Sequence, residues 1–369
     1  MEVLVFARHP GGGIRTYMYY VYSHAAFSDT NIALLTPETD SMDSLLAGMN
    51  NVGSHIKSKE SVVYLLMSII RTLFKVKPQV LHSHGFTAGL LAVIPARLLG
   101  VPHVITTHDV LRDAQFRGLV GRLKRRLIGR VLSLATVINP VGKDAARNLQ
   151  DNYSYLNGSR RMVSIRNGID TKQFLGDKRR DVREEAGIAQ GDLLVGFFGR
   201  FMAQKGFTTL VEAVAQWNSR EGRTLKVVCF GWGGFIREEQ AELTRRGLME
   251  YFHFFPGTDE MAAALRGVDA VVIPSRWEAC PLLPMEAFVA GVPVIASTCV
   301  GLNEVLHETP ALTFEVESVE GLLQCLERFA NEEDALKERA EAFRNEAAGR
   351  FDVAGTARSL KELFMDVAK

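Results

Sequence analysis

The sequence predicts an α/β protein made of two similar units in tandem. Two observations carry this: short runs of branched apolar residues alternate with helical stretches, and after residue 192 the same cycle begins again. Strands separated by helices of that length close into a mostly parallel sheet covered on both faces. The length agrees, because 369 residues exceed the size at which a single core stops growing.

In the first cycle, residues 3–7 read as a strand, 11–27 as a helix and 31–36 as a strand. Helix 62–74, strand 80–83, helix 87–99, strand 102–107, helix 119–132 and strand 136–139 follow, with one more short strand at 162–165. Asn167-Gly168-Ile169-Asp170 is a turn signal, and the charged stretch 177–192 reads as a linker with a short helix. The second cycle has strands at 193–198, 225–230, 252–256, 270–273, 292–297 and 312–314. Helices at 206–218, 238–246, 261–265 and 284–290 separate the first five, and a charged helical tail runs over 319–369.

Composition narrows the classes. Apolar residues make up 47% and the net charge is +1, but residues 1–170 carry 20 Lys/Arg against 11 Asp/Glu. The remainder carries 23 against 31, so the amino-terminal half is the one drawn to an anionic partner, unless each half is simply a solvated surface. The four cysteines, Cys229, Cys280, Cys299 and Cys325, form no C-x-x-C pair, which fits a reducing cytoplasm. Residues 2–7 read as a buried strand rather than a signal peptide, and the apolar stretch 62–74 is broken by Arg71 and too short to span a bilayer. The expectation is a cytoplasmic protein.

Ligands of open parallel sheets sit at the carboxyl ends of strands, which selects the residues following each strand. Gly11-Gly12-Gly13 lets a phosphate or sugar approach backbone N–H groups, or is a tight turn; it has neither dinucleotide nor P-loop spacing. Arg200 and Lys205 bracket the next such loop and suit a diphosphate, the alternative being solvated loop cations. Glu278 and Glu286 follow a later strand, one in a loop, the other in the first turn of a helix where a carboxylate can grip a ribose diol; a surface and a capping glutamate are the plainer reading. His108, followed by Asp109, can hydrogen-bond a sugar hydroxyl or be structural, as can His82 and His84. No metal-ligand spacing occurs among the histidines. Residues 119–132 interleave Arg122, Lys124, Arg125, Arg126 and Arg130 with apolar residues, a pattern that suits either an anionic bilayer or a surface helix whose apolar stripe covers the sheet. Nucleic acid is excluded as a partner by the lack of reading motifs beside it.

Taken in order, these residues resemble the retaining glycosyltransferase family 4 of the GT-B fold, which includes bacterial glycan and lipopolysaccharide glycosyltransferases. The resemblance is carried by Asn167-Gly168-Ile169-Asp170, Gly199-Arg200 with Lys205-Gly206, the glutamates Glu278 and Glu286 eight residues apart, Gly291-Val292-Pro293, Gly301-Leu302-Asn303-Glu304, Gly12-Gly13 and His108-Asp109. It implies two Rossmann-like α/β/α domains facing each other across a cleft: 1–170 on the acceptor side, 171–350 binding the nucleotide sugar, and 351–369 a helix returning toward the first domain. It also implies sugar transfer from a nucleoside-diphosphate sugar, UDP-linked in many members, with retention and without a metal or other cofactor. Arg200 and Lys205 would hold the diphosphate, Glu286 the ribose, Glu278 and His108 the sugar, and Gly12 and Gly13 the phosphate-sugar face. Gly231, Leu282 and Leu283 complete the implied donor-binding set. The implied partners are the donor and a glycan or lipid-linked acceptor, with peripheral contact to the inner face of an anionic membrane. Ala279-Cys280-Pro281 departs from the glycine-phenylalanine pattern usual after the first glutamate. A nucleotide-sugar 2-epimerase and a non-catalytic sugar-nucleotide-binding subunit share the architecture and stay open on sequence alone.

Overall fold

The computed structural model describes residues 1–38, 46, 48–159 and 161–369. The chain divides into two compact units, Met1–Gly168 with Val353–Lys369, and Ile169–Asp352.

The first unit holds strands β1 (Glu2–Ala7), β2 (Asn31–Pro37), β3 (Val52–Ser58), β4 (Val80–His84), β5 (His103–Thr107) and β6 (Val137–Pro140). They form one parallel sheet in the order β3-β2-β1-β4-β5-β6. The second unit holds β7 (Leu193–Phe198), β8 (Leu225–Phe230), β9 (Phe252–Phe255), β10 (Ala270–Ile273), β11 (Val294–Ser297) and β12 (Leu312–Phe314). Its sheet is also parallel, in the order β12-β11-β10-β7-β8-β9. Counted from the first strand of each unit, both orders are 3-2-1-4-5-6, the doubly wound Rossmann order. The connections part between β1 and β4 and again between β7 and β10, and a crevice opens at the carboxyl ends of those strands.

Central strands such as β4, β5, β7 and β10 are buried at every residue, which is why they read as apolar runs without alternation. Leu4, Phe6, Leu35, Leu65, Ile69 and Leu81 pack one core of the first unit. Leu193, Val195, Phe197, Phe207, Val227 and Val272 belong to the core of the second.

The structure differs from the sequence expectations in several places. The stretch 162–165 is not a strand: only Met162 bridges, to Ile138. β3 was not foreseen, because it is a mostly exposed edge strand of Gly53, Ser54, His55 and Lys57 with no apolar run. Helix Lys143–Asn152 was likewise missed; it buries only Ala145, Ala146 and Leu149 under a polar surface. The expected helix 11–27 is Gly13–Tyr22 followed by a 3-10 turn, and the tail is three helices, Val319–Asn331, Glu333–Phe351 and Val353–Val367.

The helix Gly118–Leu132 turns small residues inward. Gly121 and Gly129 are buried, while Leu119, Val120, Leu123 and Leu127 are exposed. A Cβ on Gly129 would meet the Tyr153 ring at 2.7 Å, so the glycine lets this helix approach closely. Only Ile128, Val131 and Leu132 cover the core, so the apolar stripe does not serve the sheet as a whole.

The last helix, Val353–Val367, packs on helix Gly13–Tyr22 and the turn Ala25–Phe27 of the first unit. Lys361 binds Thr30 Oγ1 at 2.5 Å and pairs with Asp29, and Thr356 Oγ1 donates to the Arg166 carbonyl at 2.7 Å. The fully buried Phe364 ring lies edge-on to Phe27 at 6.0 Å and to His82 at 5.0 Å. Truncating it leaves a cavity beside both rings. Phe364→Ala is expected to lower the stability of the first unit by about 3–5 kcal/mol, read from the shift in its urea-unfolding midpoint.

Candidate functional site

In the second unit the loops after β7 and β10 meet at the crevice. A 3-10 turn, Ala203–Lys205, carries Lys205 and ends on Gly206 at φ 64°. A Cβ there would sit 1.9 Å from the Pro274 carbonyl oxygen, so only glycine lets the two loops come this close. Lys205 Nζ pairs with Glu278 Oε1 at 2.6 Å, and Ser275 Oγ donates to the same oxygen at 2.8 Å. Gln204 Nε2 donates to the Trp277 carbonyl at 2.9 Å and to Glu278 Oε2 at 3.3 Å, and Arg276 N donates to the Gln204 carbonyl at 2.8 Å. Glu278 N in turn donates to the Val300 carbonyl at 3.0 Å. Glu278 is therefore a buried carboxylate held by a cation, a hydroxyl and an amide.

Arg200 follows β7 half-buried and has no side-chain partner among the described residues. Gly231, at the end of β8, has φ 155°, and a Cβ on it would lie 1.9 Å from the Gly199 carbonyl oxygen. Leu282 and Leu283 stand at the start of helix Leu283–Val289, where backbone N–H groups lack intrahelical acceptors. Glu286 lies in that first turn, 7% exposed, and without a side-chain partner among the described residues. Burial pushes its carboxyl up to about 7. The structure thus brings Lys205 and Glu278 into contact, places Arg200 and Gly231 on adjoining strand ends, and leaves the Glu286 carboxylate free to accept.

In the first unit, Gly12 (φ 56°) starts helix Gly13–Tyr22, and Cβ atoms on Gly11 or Gly13 would meet nothing within 4 Å. Protein packing therefore does not demand glycine at 11 or 13. His108 follows β5 and is half-buried. Its Nε2 lies 2.9 Å from His84 Nδ1, and Tyr17 packs edge-on against its ring at 4.8 Å. His84 Nε2 meets the Tyr22 hydroxyl at 2.8 Å, Tyr22 meets His82 Nδ1 at 2.5 Å, and His82 Nε2 meets Thr106 Oγ1 at 2.6 Å. Burial pushes all three imidazoles well below their ordinary range, so they are neutral at physiological pH. The sequence marks the three histidines by their position at or near strand ends: His82 within β4, His84 at its last residue and His108 just after β5. Tyr22, at the end of a helix, and Thr106, within a strand, look like ordinary core residues there.

Among the described residues, no group of three or more His, Cys, Asp or Glu side chains is arranged to hold a metal ion.

Residues 11–173 match the family model described as Glycosyltransferase Family 4, and residues 192–332 match the model described as Glycosyl transferases group 1. The chain is a member of the GT-B glycosyltransferase family. The GT-B fold is shared over nearly the whole length with Anabaena Alr3699/HepE, crystallised in complex with UDP-glucose. That comparison has a TM-score of 0.84 and 18% identity, covering 99% of this chain and 100% of that one. WaaG, a glycosyltransferase involved in lipopolysaccharide biosynthesis, aligns with a TM-score of 0.74 and 17% identity over 99% of each chain. In sequence, the chain is 24% identical to the Escherichia coli UDP-Gal:alpha-D-GlcNAc-diphosphoundecaprenol alpha-1,3-galactosyltransferase, covering 82% of this chain and 79% of that protein. It is 28% identical to the D-inositol 3-phosphate glycosyltransferase of Salinispora tropica over 62% of this chain, and spans only about half, 51%, of that relative.

The raised Glu286 carboxyl sets a pH dependence of folding. Its folded value, about 7, lies above the ordinary carboxyl value of 4.5, so the buried acid is favoured while protonated. Stability is then full below the unfolded value and falls as pH rises toward 7, by on the order of 3 kcal/mol. Glu286→Gln, which keeps the neutral shape, is expected to flatten that slope in urea-unfolding curves taken between pH 4.5 and 8.

Proposed function

We propose that this chain is a retaining glycosyltransferase that moves a sugar from a nucleoside-diphosphate sugar, without a metal, to a hydroxyl of a glycan, glycolipid or small-molecule acceptor. The observation that carries this reading is the grouping, at the β7/β10 crevice of one Rossmann unit, of two cations with two buried carboxylates. A diphosphate needs cations, a ribose diol needs an acceptor pair, and a sugar hydroxyl needs a fixed carboxylate; the crevice supplies all three. A UDP-linked donor is favoured by the UDP-glucose complex of the Anabaena protein and by the UDP-Gal donor of the Escherichia coli galactosyltransferase.

In this reading, Arg200 and Lys205 bind the diphosphate and stabilise the charge that gathers on it as the anomeric bond breaks, a task for which a divalent cation is otherwise suited. The acceptor hydroxyl attacks on the face from which the diphosphate departs, and a leaving-group oxygen takes its proton. Glu286 accepts from the ribose hydroxyls. Glu278, held in place by Lys205, Ser275 and Gln204, accepts from the donor sugar. Gly231 leaves room beside the β7 loop, and the N–H groups of Leu282 and Leu283 face the phosphates.

The same proposal places the protein on the inner face of an anionic membrane. Helices Val62–Val76, Phe86–Leu98 and Gly118–Leu132 pack side by side and leave Val62, Val63, Phe74, Leu98, Leu119 and Leu123 exposed, Leu98 to 80%. A purely apolar groove of about 450 Å³ runs between the first two. These helices contain Arg71, Lys75, Arg97, Arg122, Lys124, Arg125, Arg126 and Arg130 and no acidic residue. Apolar side chains ringed by cations fit anionic lipid, whereas a second copy of the same face would oppose like charges. No helix among the described residues is long and apolar enough to cross a membrane.

Two experiments test these readings. Titration calorimetry with UDP-, GDP- and ADP-glucose is expected to find one base bound selectively, and Glu286→Ala to weaken it roughly 10- to 100-fold. Failure of all three to bind would sink the transferase reading. The wild-type chain is expected to sediment with phosphatidylglycerol vesicles but not with phosphatidylcholine vesicles, and Leu123→Asp with Leu127→Asp to abolish it. Equal sedimentation of the variant, or a wild-type dimer that the two substitutions dissociate, would overturn the membrane assignment.

A further inference from the structure

The buried chain ending at His108 has a direction, and that direction decides what His108 offers. We infer that Asn139, acting through Thr106, His82, Tyr22 and His84, fixes His108 in the Nδ1–H tautomer, so that the ring presents a hydrogen-bond donor to an oxygen of the ligand rather than a basic nitrogen. The inference rests on the proposed role of His108 beside a sugar only for the identity of that oxygen.

Its starting point is the Asn139 amide, whose orientation is set by the backbone. Ile165 N–H donates to Asn139 Oδ1 at 3.0 Å, which turns the amide nitrogen toward Thr106 Oγ1, also at 3.0 Å. Thr106 therefore accepts from Asn139. A hydroxyl has one proton to give, and besides Asn139 the group bonded to Thr106 Oγ1 is His82 Nε2 at 2.6 Å; the buried Tyr17 hydroxyl makes no hydrogen bond among the described residues. If Thr106 donates to His82, the Thr106 proton has an acceptor. If instead His82 donates to Thr106, Thr106 accepts from both partners and its own buried proton is left with no acceptor among the described residues. A stranded buried donor costs about 1–3 kcal/mol, so the first arrangement dominates.

The rest follows link by link, because each neutral imidazole carries one N–H. His82 accepts at Nε2 and so is protonated at Nδ1, donating to the Tyr22 oxygen at 2.5 Å. Tyr22 then donates to His84 Nε2 at 2.8 Å, and His84 donates from Nδ1 to His108 Nε2 at 2.9 Å. His108 has accepted at Nε2, so its proton sits on Nδ1, the ring nitrogen left for a ligand. A charged His108 would set an Nε2–H against the Nδ1–H of His84, and burial of the three rings opposes it as well. The device gives a site made of neutral groups a fixed donor without placing a charge near the sugar.

Ring-nitrogen shifts of the full chain, labelled with 15N-histidine and assigned through His108→Gln, read the tautomer with no ligand present. The glycosyl-transfer reading can therefore fail while this one stands, and the reverse. The wild type is expected to show His108 protonated at Nδ1. In Asn139→Asp the carboxylate still accepts from Ile165 N–H but can only accept from Thr106, so the chain reverses and His108 shifts to Nε2–H. In Tyr22→Phe, which removes one hydroxyl and folds if the aspartate variant does not, the link is cut and His108 becomes a mixture of both tautomers. A wild-type His108 protonated at Nε2, or a His108 pattern unmoved in whichever of the two variants folds, would overturn the inference.

Discussion

A carboxylate 6% exposed, in the loop after the central strand β10, is the constraint around which the second unit's crevice is arranged. Left alone, the Glu278 charge would cost several kcal/mol, so the fold surrounds it with compensating groups from separate parts of the chain. Lys205 and Gln204 come from the loop after β7, and Ser275 comes from the segment after β10. Because β7 and β10 are neighbours at the point where the strand order reverses, the same topology that opens the crevice brings these loops together. The pair accordingly fixes the geometry of the loops as well as neutralising a charge. Under the proposed function, an incoming diphosphate would meet a lysine already held at one end, with little side-chain freedom left to lose.

The two units share a strand order and differ in the chemistry at the corresponding ends. Beside β7 and β10 two of the charged groups, Lys205 and Glu278, are paired. Beside β1 and β4 lie glycines open to approach at 11 and 13 and a relay of neutral imidazole and hydroxyl groups leading to His108. The last helix belongs to this second arrangement, since Phe364 packs on the His82 ring and holds the relay from behind. A doubly wound sheet fixes where side chains converge, and the residues at the strand ends decide what they can bind.

Much of this was legible in the sequence, for physical reasons. Strands buried on both faces, such as β1 and β7, stand out as unbroken apolar runs, and the residues after them are picked out by the rule for parallel sheets. Arg200, Lys205, Glu278 and Glu286 were picked out that way as candidates. β3 escaped because an exposed edge strand needs no apolar face, and 162–165 misled because Val163 and Ile165 mimic a strand while lying outside the sheet. The contact of Lys205 with Glu278 was out of reach, since it joins residues 73 apart. The relay was hidden for a similar reason: Tyr22, His82, Thr106 and Asn139 come from four elements, and only packing shows that their polar atoms meet. The outward leucines of Gly118–Leu132 could not be assigned a side from periodicity, because Gly121 and Gly129, rather than Leu119, Leu123 and Leu127, faced the core.

The central claim is that the strand ends around Lys205, Glu278 and Glu286 receive a nucleoside diphosphate. Diffraction from crystals of the full chain grown with UDP tests it most directly. The account predicts UDP at the β7/β10 crevice, with Lys205 Nζ and the Arg200 guanidinium on phosphate oxygens and the Glu286 carboxylate on the ribose diol. UDP bound elsewhere, with Lys205 still engaged by Glu278 alone and the Glu286 carboxylate unoccupied, would contradict it.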